Sequence, residues 1–152
     1  MPNHYQYKHH QGHLSSVLNI YVDITQNQDS TPVYFRDLKT GTRFYKMVKE
    51  IANTEDYTAE TGSGKVVVDF YANWCGPCVA IKDYYGQLAN ENGDIKFLKV
   101  NVDTGANKGA MQAANVRCMP TFVFYNNGAI VDRLEGANKS ELAAKVAKLK
   151  ST

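Results

Sequence analysis

Beyond residue 46 the apolar positions follow two rhythms. Short runs that alternate or are continuously apolar predict strands, and stretches with a period near 3.6 predict helices. Residues 47–51 alternate as a strand. Asn53 and Thr54 offer N-cap oxygens to a brief helix through Tyr57 and Ala59, which ends at the breaker Thr61-Gly62-Ser63-Gly64. Residues 66–71 are apolar and β-branched, the pattern of a central strand covered on both faces. Val79, Ile81, Tyr84, Tyr85, Leu88 and Ala89 form a helical stripe that stops near Asn92-Gly93. Residues 95–102 read as a strand, and 104–115 as a weak helix because Gly105 and Gly109 sit inside it. Residues 121–125 and 129–134 flank Asn126-Asn127-Gly128, a hairpin signal since Asn and Gly accept positive φ. Ser140 is expected to cap a last helix with Leu142, Ala143, Val146 and Leu149 on one face. The order β-α-β-α-β-α-β-β-α predicts an α/β fold, a central mixed β-sheet flanked by helices on both faces.

Residues 1–46 differ from this pattern. Seven of them are Tyr or Phe, 17–24 alternate like a strand, and 33–38 and 43–46 flank Lys39-Thr40-Gly41-Thr42 as a second hairpin. So short a segment buries too little to form a core alone. It is read as an N-terminal extension, a candidate docking arm for a larger assembly, and 47–152 as the domain. His4, His9, His10 and His13 lie close in sequence, but with no carboxylate or cysteine beside them they read as a polar tail, not a metal site.

Charge narrows the partners. Residues 1–46 hold five Lys/Arg against three Asp/Glu, and 47–152 hold twelve of each, so the net +2 forms no basic block that could track a phosphate backbone. Nucleic acid is not an expected partner. The three cysteines are too few for a disulfide-stapled secreted domain, which points to a reducing compartment. The N-terminus lacks an apolar signal region, and no run of about 18 apolar residues exists to span a membrane. The first 35 residues contain no Arg, unlike a mitochondrial presequence. A cytoplasmic location is expected, with the cilium or axoneme and the mitochondrion as alternatives.

The candidate chemistry lies at Trp74-Cys75-Gly76-Pro77-Cys78, directly after the strand at 66–71. Two thiols separated by two residues can close a disulfide within one helical turn. A strand that empties into that turn puts the first sulfur where the unpaired N–H groups of the helix converge. That field favours thiolate, the nucleophile of disulfide exchange. A Cys-x-x-Cys beside a strand–helix pattern reads as a redox pair. A four-cysteine zinc site would need a second such pair, and the chain has none.

Further residues extend the pattern: Asp69 six residues before Cys75, Lys99 and Asp103 on the third strand, Met119-Pro120-Thr121, the Gly128 hairpin, and Gly136-Ala137. With these in order and at similar spacing, residues 47–152 resemble the thioredoxin family over essentially its whole length. Cys118 looks like the additional thiol of animal-type cytosolic members. Some positions depart from the family pattern. Tyr71 stands where Trp or Ser is common, Val79 where Lys or Arg is frequent, and the segment between Asp103 and Pro120 is slightly longer than in the bacterial type. Asp83 replaces a frequent mid-helix Pro, which should leave the second helix straighter. None of these changes removes a catalytic group.

The resemblance implies a thioredoxin fold and a protein dithiol–disulfide oxidoreductase. The Gly-Pro dipeptide between the cysteines implies a reducing role. No bound cofactor is implied; the redox-active disulfide is Cys75–Cys78, recharged by a thioredoxin reductase, and the substrates are protein disulfides. Cys75 would be the attacking thiol, partly exposed beside Trp74 and acidified, and Cys78 the resolving thiol beneath it. Asp69 resembles the buried carboxylate that accepts the Cys78 proton, through a water, with its pKa raised toward neutrality by burial. Lys99 either tunes Asp69 across the sheet or is a plain exposed lysine. Pro120 looks like the cis-proline facing the disulfide, turning the Met119 backbone outward for an extended substrate segment. Trp74, Gly76, Pro77, Met119, Gly136 and Ala137 would form a flat apolar docking rim, with ordinary core packing as the alternative for Met119. Cys118 reads foremost as a surface thiol, against intermolecular disulfide formation or reversible oxidation. The rival function is a thioredoxin-fold structural or adaptor subunit, anchored by the N-terminal arm in an assembly such as a ciliary axoneme or respiratory complex. Both functions can coexist in one chain.

Overall fold

In a computed structural model, the described residues are the strands at 20–23, 34–37 and 43–45 together with residues 48–152. Three short antiparallel strands, β1 (Ile20–Asp23), β2 (Tyr34–Asp37) and β3 (Arg43–Tyr45), form a sheet of order β1-β2-β3. Tyr34 faces Tyr45 and Phe35 faces Phe44 in register, the pairing expected of the second hairpin. Its turn at 39–42, the four histidines and Met47 lie outside the described residues.

The domain follows as β4 (Val48–Glu50), α1 (Thr54–Thr61), β5 (Lys65–Tyr71), α2 (Gly76–Glu91), β6 (Lys96–Asn101), a 3-10 turn (Gly105–Asn107), α3 (Lys108–Ala113), β7 (Thr121–Asn126), β8 (Ala129–Glu135) and α4 (Lys139–Ser151). Strands are ordered β4-β6-β5-β7-β8. β6 runs parallel to both β4 and β5, and β7 runs antiparallel to β5 and β8. The result is the expected mixed sheet.

β5 lies at the centre because its side chains suit burial on both faces. Val66, Val67, Val68 and Phe70 are all 0% exposed. Strand alternation sends Val66, Val68 and Phe70 to one face, with Tyr57, Leu98, Val100, Ala110 and Val123 beneath α1 and α3. Val67 points the other way, into Ile81, Tyr85, Phe97, Phe122, Phe124 and Leu142 beneath α2 and α4. Asn127 (φ 50°) and Gly128 (φ 86°) make the two-residue turn between β7 and β8.

Two local expectations change. Ser140 is not the cap of α4. Asn138, extended at φ −83° and ψ 103°, accepts the Glu141 N–H on its Oδ1 at 3.1 Å. Ser140 already lies inside the helix, where its hydroxyl donates to the same oxygen. A cap must precede the helical φ/ψ run, and only Asn138 does. The weak helix at 104–115 resolves into the 3-10 turn and α3, and Gly109 has a reason beyond weakening it. A Cβ there would stand 2.7 Å from the Thr54 side chain, whose hydroxyl donates to the Ala106 carbonyl at 2.9 Å. Glycine lets α3 approach the start of α1. α2 runs unbroken through Asp83; its Pro77 sits in the first turn, where the missing N–H leaves no intrahelical bond unmade.

Candidate functional site

The chain leaves β5 at Tyr71 and enters α2 five residues later, and this short passage positions the cysteines. Cys75 is the N-cap of α2, extended at φ −83° and ψ 110°, so its side chain rather than a serine or aspartate oxygen faces the free N–H groups of the first turn. Its sulfur accepts the Cys78 N–H at 3.3 Å. One turn further on, the Cys78 sulfur is at bonding distance from that of Cys75, with the two Cα atoms 5.3 Å apart, and the pair closes a disulfide. An N–H aimed at the sulfur, with the helix N-terminus behind it, stabilises negative charge there once the bond is opened.

Expected partial exposure of Cys75 is not seen in this oxidised form. Cys75 is 6% and Cys78 4% exposed, because Ala72, Tyr71, Val102 and Met119 pack around the bonded sulfurs. The Met119–Pro120 peptide is cis, and the Met119 carbonyl oxygen lies 3.6 Å from Cys75 Sγ. Gly136 N–H donates to the Pro120 carbonyl at 2.8 Å, so the chain leaving β8 is tied to the loop that faces the disulfide. Trp74 stands 69% exposed, and its indole N–H donates to Asp103 Oδ1 at 3.2 Å. Gly76 and Pro77 are exposed at the tip of α2, and Met119 is half-buried against the cysteines. Gly136 and Ala137 are half-buried, Ala137 packing in part against the α2/α4 core. Cys118 is free and exposed, its sulfur 3.8 Å from the Thr121 hydroxyl.

Asp69 shares the α2/α4 face of β5 with Val67, two residues before it. It is 5% exposed, and its Oδ1 has no hydrogen-bond partner among the described residues. Burial pushes its carboxyl up to about 7, against an opposing pull from the Lys99 ammonium and with a further push from the Glu50 carboxylate. A carboxyl poised there can take a proton and return it near neutral pH.

Sheet register explains why those two charges act on it. Asp69 pairs with Lys99 across β5 and β6, and Lys99 pairs with Glu50 across β6 and β4, so the three occupy one row. Lys99 Nζ binds Glu50 Oε2 at 2.8 Å and lies 5.5 Å from the Tyr71 ring centre. The Tyr71 hydroxyl donates to Glu50 at 2.9 Å to one oxygen and 3.1 Å to the other. Sequence reasoning missed Glu50 and gave Tyr71 and Asp103 no role. Glu50 is one polar position of a short alternating strand, and only the register of β4 on β6 brings it to Lys99.

Among the described residues there is no group of three or more metal-ligating side chains, and no helix is long and apolar enough to cross a membrane. A thioredoxin family model matches residues 47–148. Chicken (Gallus gallus) thioredoxin is 43% identical over 99 residues, covering 63% of this chain and 92% of that protein. Mouse (Mus musculus) thioredoxin is 42% identical over 103 residues, covering 66% of this chain and 96% of its own. Of solved structures, thioredoxin from Malassezia sympodialis superposes with a TM-score of 0.64 at 34% identity, over 68% of this chain and 93% of that one. Thioredoxin from Fasciola hepatica superposes with a TM-score of 0.60 at 38% identity, over 66% and 97%.

Proposed function

The chain belongs to the thioredoxin family of disulfide oxidoreductases, and from that membership we propose that it reduces protein disulfides through Cys75 and Cys78. The Cys75 thiolate attacks one sulfur of the target disulfide, forming a mixed disulfide and releasing the other target sulfur as a thiolate. Cys78 gives its proton to Asp69, and its thiolate attacks Cys75, releasing the second target sulfur. The released thiolates take up protons. Two electrons have passed to the target, and the Cys75–Cys78 disulfide remains. A thioredoxin reductase returns the pair to dithiol. An attacking thiol with a pKa near ambient pH balances thiolate fraction against nucleophilicity.

The observation that carries the reading is the Cys75 sulfur capping α2 with the Cys78 N–H aimed at it. Asp69, buried on the face that α2 covers, supplies the proton acceptor. The Met119 backbone beside the sulfurs offers an extended target segment a strand to pair with, and Trp74, Gly76, Pro77 and Gly136 border it. A reducing compartment, the cytoplasm foremost, suits this chemistry. The test is reduction of insulin disulfides by dithiothreitol-charged protein. Turnover is expected from the native chain and none from Cys75→Ser; a native chain no faster than dithiothreitol alone would end the reductase reading.

A second role is favoured by β1–β3, an antiparallel sheet on the N-terminal side of the family match. We propose that residues 1–46 anchor the domain in a larger assembly. The full chain and one beginning at Met47 are compared for retention in native complexes. Loss of the shorter chain is expected, and equal retention would remove the arm.

A further inference from the structure

The row Glu50–Lys99–Asp69 holds one cation between two carboxylates. Lys99 is the register partner of both acids, yet its ammonium pairs with Glu50 at 2.8 Å, and no ion pair joins it to Asp69. Glu50 keeps much of its hydration, with its side chain 44% exposed, so pairing with it costs Lys99 little desolvation. Tyr71 fixes the arrangement from the same strand as Asp69. Its hydroxyl donates to both Glu50 oxygens and its ring lies beside the Lys99 ammonium.

We propose that Glu50 is a positioning residue: held by Tyr71, it keeps the Lys99 cation away from Asp69 and so governs how readily Asp69 takes up a proton. Two effects act together. Glu50 draws off the charge that would otherwise favour ionised Asp69, and its own negative charge opposes a second one along the row. Lys82 and Asp83 of α2 line a cleft with Lys99 but are exposed, so solvent screens them from Asp69. From α2, the Tyr85 hydroxyl donates to the Val67 and Leu98 carbonyls and is held far above its ordinary range by burial, so it stays neutral. The cysteines at the tip of α2 carry no charge while bonded. From β7 the register partner is Phe122. Tyr71 is itself pushed up to about 12, chiefly by burial and then by Glu50, and stays neutral below that.

For the reductase chemistry, this inference rests on the reading of Asp69 as acceptor of the Cys78 proton. The carboxyl carbon of Asp69 is followed by NMR from pH 5 to 9 in the oxidised full-length protein, where no turnover is needed. Glu50→Gln is expected to lower the midpoint by roughly half a pH unit, a threefold fall in proton affinity for charges of this exposure. Tyr71→Phe lowers it less, and Lys99→Met raises it. In a Lys99→Met background, Glu50→Gln should have a smaller effect, because the cation it diverts is gone and only its direct repulsion of Asp69 is left to remove. An unmoved midpoint in Glu50→Gln, or a shift undiminished without Lys99, would overturn the proposal. The acid limb of insulin reduction should move with the midpoint. If the midpoint moves and that limb does not, Asp69 is not the acceptor, and the proton-transfer step fails while the role of Glu50 stands.

Discussion

The two faces of the central sheet are built from the same strands and do different work. Under α1 and α3, Val66, Val68, Phe70, Leu98, Val100 and Val123 make a continuous apolar layer. Two hydroxyls that enter it, those of Tyr57 and Tyr125, bond to each other. Under α2 and α4 the layer begins the same way, with Val67, Phe97 and Phe124. One residue pair further along β5 and β6, that face turns to Asp69 and Lys99, next to Glu50. Val67 and Asp69 lie two positions apart on one strand, and both are buried. One contributes to stability; the other opposes it whenever ionised, since a buried carboxylate without a partner is costly. The first face holds the domain together, and the second gives up part of that stability to keep a titratable group on the side of the sheet that α2 covers.

That contrast can be broken most severely at the cysteine. Cys75→Ser should abolish insulin reduction while leaving the α1/α3 layer intact, which near-ultraviolet circular dichroism of the buried tyrosines would report. Phe70→Ala acts on the opposite face. Removing that ring should lower unfolding free energy by roughly 3–5 kcal/mol in a urea titration. Wherever the variant remains folded, the Asp69 midpoint should stay in place; a midpoint that moves with Phe70 would mean the faces are not separable.

Asp69→Asn sharpens the comparison through pH. Asp69 binds its proton more tightly when folded, at about 7 against an ordinary 3.8. Its contribution is therefore full below about pH 4 and lost as pH rises through about 7. The native chain should lose on the order of 4 kcal/mol of stability across that window. Asp69→Asn should lack this loss and be the more stable protein at pH 8, yet resolve mixed disulfides more slowly. Parallel pH curves for the two proteins would contradict the placement of Asp69. The smallest effect concerns α4, which covers the second face. Asn138→Ala should cost about 1 kcal/mol, and Ser140→Ala no more than about 0.5 kcal/mol.

Much of this was legible in the sequence, for physical reasons that differ by element. β5 and the β7–β8 hairpin were readable because apolar continuity and Asn127-Gly128 are local signals. The stripe on α2 and the cap at Asn53, which accepts the Asp56 N–H at 2.9 Å, were local as well. The cysteine pair was a local motif, and the roles of Asp69 and Pro120 came from the resemblance to the thioredoxin family. Ser140 and Gly109 misled because capping depends on where the backbone turns helical, and a glycine can serve a neighbouring helix instead of its own. Glu50 was illegible altogether. Its place beside Lys99 depends on the register of two strands more than forty residues apart, and no periodicity within either strand encodes that. The same applies to the Trp74–Asp103 bond, whose partners meet only after β6 is laid beside β5.

At the N-terminus of α2, Cys75 should stand as a thiolate near neutral pH once the disulfide is reduced. The direct measurement is alkylation of fully reduced protein by iodoacetamide across pH 5 to 10, with Cys75, Cys78 and Cys118 followed separately by mass spectrometry. Cys75 should react fastest, with a midpoint well below the ordinary thiol value of about 8.5. A Cys75 that reacts no faster than Cys118, or only in alkaline solution, would contradict this.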